Sequence, residues 1–149
     1  MKNKNFNTTI LIEQTPKEVF NAVNNPRGWW SENIEGKTEK LNDVFTYRYQ
    51  DVHSCKMKLV EVIPNKKVVW HCMENNFSFT KDKSEWINTK IIFEISKKEN
   101  QTQLHFTHEG LVPGYECYGI CEDAWTGFVK GSLKNLITNG KGKPNPKEK

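Results

Sequence analysis

The chain of 149 residues lacks an apolar run of about 18 residues, the length that a membrane-spanning helix needs. Its amino end is positively charged but has neither a long apolar core nor a small-residue cleavage site, which is not typical of a signal peptide. We therefore expect a cytoplasmic protein without membrane insertion. The sequence also lacks a G-x-S-x-G elbow, an H-E-x-x-H motif and a glycine-rich loop between a strand and a helix. The "GKGK" at 140–143 follows a predicted helix, so it is not a phosphate loop.

No C-x-x-C pair is present among the four cysteines, which are Cys55, Cys72, Cys117 and Cys121. A reducing compartment argues against structural disulfides. Cys117 and Cys121 are one helical turn apart, but a zinc site normally needs four ligands and no second paired motif exists. We expect no metal and no cofactor, and we interpret the two cysteines as packing or pocket-wall residues. A reactive Cys117 thiolate near the helix start is the alternative.

Positive charge is in excess, with a net charge of +4, and much of it falls in the last stretch, "GKGKPNPKEK". Basic and aromatic residues do not interleave on one face, so we expect no nucleic-acid partner. The sequence predicts one domain over residues 1–142 and a disordered basic tail over 143–149.

The first elements are a strand at 6–13 and a short helix. In "TPKEVFNAV", Thr15 is a predicted N-cap, Pro16 suits the first helical position, and Glu18 completes a capping box. The following "RGWWSEN" is a second short helix or a turn. Trp29 and Trp30 lie either at the mouth of a pocket or between the short helices and a sheet.

Residues 44 to 109 follow the alternating pattern of β-strands. Strict alternation appears in "SEWINTKIIFEIS", at Ile87, Thr89, Ile91, Phe93 and Ile95, and again in "TQLHFTHEG". Short turns separate the runs, which predicts an antiparallel, meander-like sheet of six to seven strands.

The hydrophobic period changes to about 3.6 near the carboxyl end. An apolar stripe occupies positions 117, 121, 125, 128, 132 and 136, and the helix ends at Asn139-Gly140. The sheet is the one large surface on which this helix can bury its stripe, so we predict an α+β domain.

The order of elements resembles the helix-grip fold of the START-like SRPBCC superfamily. The similarity is carried by "TPKEVFNAV", "VEVIPNKKVVW", "TKIIFEI", "TQLHFTHEGL" and "WTGFVKGSLKNLITNGKG". Within the superfamily the chain resembles the bacterial branch related to the Hsp90 ATPase activator, the AHSA1-like branch. A narrower likeness covers "EW-x-x-T" at Glu85, Trp86 and Thr89, and the helix start at Pro113, Glu116, Cys117, Cys121 and Trp125. The resemblance implies a pocket between the curved sheet and the last helix, but it implies no reaction.

The aromatic residues, which form 11% of the chain, exceed what a small core needs. We expect some of them to line a cavity of a few hundred Å³. The predicted ligand-binding residues are Phe45, Tyr47, Trp70, Trp86, Phe106, His108, Cys121, Trp125 and Phe128. His108 shares parity with Leu104 and Phe106, so it points inward with them and needs a hydrogen-bond partner.

Three functions fit these observations. The first is a monomeric, cofactor-free protein that binds a small apolar molecule, aromatic or lipid-like. The second is a module that interacts with an Hsp90-type chaperone, as the resemblance implies. The third is a cyclase or hydrolase that uses His108 with Tyr47 or a cysteine. We expect binding rather than catalysis and assign no catalytic residue.

Overall fold

The structure is a computed structural model and describes residues 5–78, 80–81, 86–111 and 118–146. Four residues of the narrower resemblance, Glu85, Pro113, Glu116 and Cys117, lie outside the described residues.

Seven antiparallel strands form one sheet, as the alternation predicted. They are β1 (Phe6–Ile12), β2 (Glu35–Gly36), β3 (Val44–Tyr49), β4 (His53–Ile63), β5 (Lys67–Phe77), β6 (Lys90–Lys98) and β7 (Gln101–Glu109). Their order across the sheet is β1-β7-β6-β5-β4-β3-β2, so β1 crosses to pair with β7 and the remaining neighbours are consecutive. This sheet and the C-terminal helix confirm the expected α+β helix-grip fold.

The start of β6 differs from the prediction. Alternation in the sequence placed Ile87 and Thr89 in the strand, but residues 86–88 form a turn and β6 begins at Lys90. Asn88 adopts a left-handed backbone with φ of 68°, which an asparagine tolerates and a strand does not. The alternation at these positions was therefore fortuitous, and Ile87 is exposed.

Helix α1 (Pro16–Val23) begins with the predicted capping box. The Thr15 hydroxyl accepts the backbone N–H of Glu18 at 3.2 Å, and the Glu18 carboxylate accepts the N–H of Thr15 at 3.1 Å. These two bonds satisfy backbone donors that a helix start leaves free. The predicted second short helix or turn is a single 3-10 turn, Pro26–Gly28. Trp29 and Trp30 follow it directly and pack against the sheet.

The C-terminal helix combines α2 (Tyr118–Thr126), a π-helical segment (Gly127–Leu133) and α3 (Lys134–Asn139). The predicted stripe is correct at Cys121, Trp125 and Ser132, whose side chains are buried. Its other described positions, Phe128 and Leu136, are only partly buried, and the buried apolar residues are their neighbours Val129 and Ile137, together with Leu133. The π-helical segment explains this shift by one residue. Its i→i+5 hydrogen bonds give turns with more than 3.6 residues, so residues four apart lie on the same face of the helix.

Beyond the helix the chain turns back along the loop that carries the two tryptophans. Asn145 donates its backbone N–H to the carbonyl of Trp30 at 3.0 Å and accepts from the N–H of Glu32 at 2.9 Å. Gly142 allows the close approach, since a Cβ there would lie 2.4 Å from the carbonyl oxygen of Gly28. The structure thus holds residues 143–146 of the expected tail against the domain, and residues 147–149 are outside the described part.

In the described part of the chain, none of the helices has both the length and the apolar character required to cross a membrane.

Candidate functional site

A cavity of about 560 Å³ lies under the C-terminal helix, along residues 120–135. The opposite wall comes from the ends of β3, β4 and β5, and residues 143 and 145 of the C-terminal segment border it. Eight of the nineteen described residues that line it have ring side chains: Trp30, Tyr47, Tyr49, His53, Phe77, Trp86, Trp125 and Phe128. The volume is within the range of small-molecule sites in proteins.

Of the nine predicted ligand-binding residues, the structure brings five to this cavity: Tyr47, Trp86, Cys121, Trp125 and Phe128. The other four do not line it. Phe45, Trp70, Phe106 and His108 are 0–1% exposed and belong to the solid core beside it. All nine side chains face the interior of the domain. The periodicity of the sequence therefore identified the inward face correctly, but it did not show which part of the interior is a cavity.

Trp29 and Trp30 explain why that part of the interior is filled. The ring of Trp30 stacks on Trp70 at a centroid distance of 5.7 Å, and the ring of Trp29 stacks on Trp70 at 6.3 Å. On its other side Trp30 stacks on Tyr47 at 4.1 Å and borders the cavity. Both indoles are buried, so they pack between the loop and the sheet, and Trp30 also closes the inner end of the cavity.

His108 forms a directional chain of hydrogen bonds behind the cavity wall. The indole N–H of Trp125 donates to Nδ1 of His108 at 3.1 Å, so Nδ1 carries no proton. Nε2 of His108 then donates to the Thr89 hydroxyl at 2.8 Å, and that hydroxyl donates to the carbonyl of Trp86. The chain connects Trp86 and Trp125, whose rings stack at 5.7 Å and both line the cavity.

This arrangement is a structural one. Burial lowers the pKa of His108 to about 3, and the neighbouring His53 adds to the shift. The imidazole is therefore neutral near pH 7, has both nitrogens engaged and does not line the cavity. These properties argue against His108 as the general acid or base of a cyclase or hydrolase.

His53 is a cavity residue that the sequence reasoning missed. Its ring lies 4.5 Å from that of Trp86 and 4.3 Å from that of Phe77 between centroids. Nε2 bonds with Oδ1 of Asn75 at 2.7 Å, and burial lowers the pKa of His53 to about 4. The signal was available, because His53 has the same strand parity as the inward Cys55 and Met57.

The charged residues that the structure shows along the cavity are at its edge. Among its lining residues, Asp123 and Lys143 carry charge and both are exposed. The Tyr47 hydroxyl lies further in and accepts from the Asn145 amide at 3.4 Å, and burial raises the pKa of Tyr47. The described residues deeper in the cavity are thus uncharged near pH 7.

The described cysteines, Cys55, Cys72 and Cys121, are buried free thiols. Burial raises the pKa of Cys55, which opposes thiolate formation. Cys121 lines the cavity, the position that the sequence favoured for it. Within residues 5–78, 80–81, 86–111 and 118–146, no three His, Cys, Asp or Glu side chains form a group that could hold a metal ion.

No family model matches the chain, and no curated protein matches it significantly. Solved structures do match it. The solution structure of the Aha1 dimer from Colwellia psychrerythraea is 27% identical, with a TM-score of 0.75, over 93% of this chain and 99% of that chain. The chain fits the Aha1-like branch of the START-like superfamily.

Two further structures share the fold of this Aha1-like chain at lower identity. DynU16, from the dynemicin biosynthetic locus, is 13% identical with a TM-score of 0.69, over 98% of this chain and 52% of that chain. Protein MLL2253 from Mesorhizobium loti is 14% identical with a TM-score of 0.69, over 91% of this chain and 98% of that chain.

These neighbours support the fold that the sequence predicts. The Colwellia protein is a dimer in its solution structure. The comparison therefore does not support the monomer that we expected from the sequence.

Proposed function

We propose that this Aha1-like chain binds a small, mainly apolar ligand with aromatic character in the cavity under the C-terminal helix. The observation that carries the proposal is a cavity of about 560 Å³ with eight ring side chains in its wall. The rings of Trp30, Trp86 and Trp125 border it, and an aromatic ligand packs favourably against such rings.

Apolar burial supplies most of the binding free energy in such a site, at about 25 cal/mol per Å² removed from water. Part of the wall is already formed, because the Trp125 indole donates to His108, and Thr89 connects His108 to the backbone carbonyl of Trp86. A preformed wall spares the ligand the cost of ordering these side chains. Polar groups are few and can fix the orientation of the ligand.

Filling the cavity from the helix tests the proposal. Gly131 lines the cavity, and a Cβ built on it meets no atom within 4 Å, so a Gly131→Leu side chain enters open space. We expect the wild-type chain to bind the methyl ether of β-naphthol, with shifts of the cavity indole N–H signals in NMR spectra. Gly131→Leu is expected to weaken this binding at least about tenfold, because it occupies the ligand's volume.

The matched control is Gly119→Leu. Gly119 is in the same helix, has no atom within 4 Å of its Cβ position and does not line the cavity. We expect this variant to bind the ether as the wild type does. Equal binding by Gly131→Leu and Gly119→Leu, or no binding by the wild-type chain, would contradict the cavity as the binding site.

An interaction with an Hsp90-type chaperone is the second candidate function. The likeness to the Colwellia Aha1 structure, over 99% of that chain, favours it. We expect purified bacterial Hsp90 to co-sediment with the wild-type chain and equally with Gly131→Leu, because the substitution alters the interior and leaves the surface unchanged. Absence of co-sedimentation at micromolar concentrations would remove this candidate.

A further inference from the structure

Hydrogen-bonding groups are unevenly distributed in the cavity wall across the sheet. The Trp125 N–H is bonded to His108 of β7 at 3.1 Å, and Nε1 of Trp86 is buried, so a ligand reaches neither. His53 of β4 bonds through Nε2 to Oδ1 of Asn75 at 2.7 Å, so Nε2 carries the proton and Nδ1 is an acceptor. This part of the described wall therefore offers ring surface and no free side-chain N–H.

Polar side chains converge at the β3 side of the cavity, which we call the polar end. Its members come from β3, the C-terminal helix and the C-terminal segment: Tyr47, Tyr49, Asn135, Lys143 and Asn145. The Asn145 amide donates to the Tyr47 hydroxyl at 3.4 Å, and the backbone N–H of Lys143 donates to the Ser132 hydroxyl at 2.6 Å. Ser132 is three residues before Asn135, and side chains at this spacing are neighbours on a helix. The three elements therefore meet at one place in the wall.

Three side chains of the polar end have a hydrogen to donate and no acceptor in the described part of the chain. The Tyr47 oxygen accepts from Asn145, so its own hydrogen is free. The Tyr49 hydroxyl and the Asn135 amide have no partner among the described residues. The Ser132 hydroxyl differs, since it already donates to a backbone carbonyl at 2.7 Å. Burial is the main cause that raises the pKa of Tyr47, and the nearby Tyr49 contributes, so the Tyr47 hydroxyl keeps its hydrogen.

The charged residues along the cavity distinguish its two ends. Lys143 and Asp123 are both exposed. Asp123 precedes Ser132, the helix residue that Lys143 contacts, by a distance on the order of 13 Å along the helix axis. An anionic group is attracted to the Lys143 end and repelled from the Asp123 end. Because Lys143 is exposed, an anion beside it stays in contact with water, which keeps the cost of burying its charge small.

A carboxylate matches the groups of the polar end. It only accepts hydrogen bonds, and its two oxygens serve several donors at once. Hydrogen bonds to a charged acceptor are roughly twice as strong as those between neutral groups. The ammonium of Lys143 stands on a flexible stem and supplies the opposite charge. Nδ1 of His53, which is an acceptor, gives a carboxylate no reason to lie deeper in the cavity.

We propose that the cavity binds an aromatic carboxylate, with its rings packed against Trp86 and Trp125 and its carboxylate held at the polar end. The Tyr47 hydroxyl, the Asn135 amide and the Lys143 ammonium are the groups that hold it. This inference rests on the proposed function and adds the chemical class of the ligand and its orientation.

The test compares three probes with one aromatic body: β-naphthoate, its methyl ester and the β-naphthylmethylammonium cation. Their affinities for the full chain are measured by NMR titration near pH 7 at low ionic strength. We expect the naphthoate to bind about fivefold more tightly than the ester, which keeps the carbonyl but has no charge, and about tenfold more tightly than the cation. Added salt is expected to weaken the naphthoate and to leave the ester unchanged.

Two variants assign the preference to its residues. Tyr47→Phe removes the hydroxyl and keeps the ring, and we expect it to weaken naphthoate binding about fivefold. Lys143→Gln is expected to reduce the preference for naphthoate over the ester by about half or more. Its matched control is Lys130→Gln, because Lys130 is exposed on the same helix and does not line the cavity, so the preference is expected to stay.

A measurement on the wild-type chain does not depend on any variant folding. The side-chain amide signals of Asn135 are expected to move with the naphthoate and to move less with the ester, because the amide donates to the carboxylate. Signals of the indole N–H of Trp125 are expected to move with both probes, since both place their rings against it.

Three results overturn the inference. They are an ester that binds as tightly as the naphthoate, an unchanged preference in folded Tyr47→Phe and Lys143→Gln, and amide signals of Asn135 that respond equally to both probes. Each of these leaves the proposed function in place if the methyl ether of β-naphthol binds and Gly131→Leu blocks it. If neither that ether nor any of the three probes binds, the proposed function falls together with the inference.

Discussion

Replacing Trp30 with alanine is expected to lower the free energy of unfolding by about 3–5 kcal/mol. The side chain is 2% exposed and touches rings on three sides, with centroids 4.1 Å from Tyr47, 5.1 Å from Trp125 and 5.7 Å from Trp70. Its removal enlarges the existing cavity into the core. The neighbouring rings cannot collapse into the gap, since each is held by further contacts.

Urea denaturation followed by far-UV circular dichroism measures this loss. The control is Leu41→Ala, because Leu41 is 55% exposed and its truncation is expected to change stability by no more than about 0.5 kcal/mol. A loss below about 1 kcal/mol in Trp30→Ala would contradict the structural role given to the tryptophan cluster.

Lowering the pH from 7 to 5 is expected to destabilise the protein by about 4 kcal/mol through His53 and His108 alone. Burial lowers the pKa of His53 to about 4 and that of His108 to about 3, whereas the unfolded chain titrates near 6.5. At a pH between the folded and the unfolded pKa values, the two histidines bind protons in the unfolded state but not in the folded state. Stability is therefore complete above about pH 6.5 and is lost as the pH falls toward the folded values, by about 2 kcal/mol per histidine at pH 5.

The measurement is a pair of urea titrations at pH 7 and pH 5, repeated on His53→Asn. This variant has one buried histidine fewer, so the difference in unfolding free energy between the two pH values is expected to fall by about half. Comparing each protein with itself removes the effect of the substitution on overall stability. An unchanged pH difference in the variant, or greater stability at pH 5, would contradict the assignment.

Local chemistry made much of the fold predictable. The Thr15–Glu18 capping box depends on residues three apart, and the alternation of Leu104, Phe106 and His108 is a property of a single strand. The predictions were wrong where one sequence pattern is compatible with two different structures. Ile87 alternates with its neighbours, but the left-handed backbone of Asn88 makes the segment a turn.

The helix stripe failed in a related way at positions 128 and 136. The sequence has apolar residues at both 128 and 129 and at both 136 and 137, so a period of 3.6 selected one member of each pair. The π-helical segment selects the other member, Val129 and Ile137. Its wider turn is not encoded in the hydrophobic period, which is why the sequence reasoning did not anticipate it.

The amino-acid sequence by itself determined the α+β class, the inward faces of the strands and the long terminal helix, because periodicity and capping act over a few residues. Only the tertiary structure decided where the interior is full and where it is empty. That depends on how Trp29 and Trp30, carried on a loop, stack against Trp70 of a distant strand. Their side chains fill the space beside Phe106, and the space near Trp86 and His53 stays open as the cavity. Packing of this kind depends on the volumes of residues that are far apart in the chain, so a local sequence pattern does not determine it.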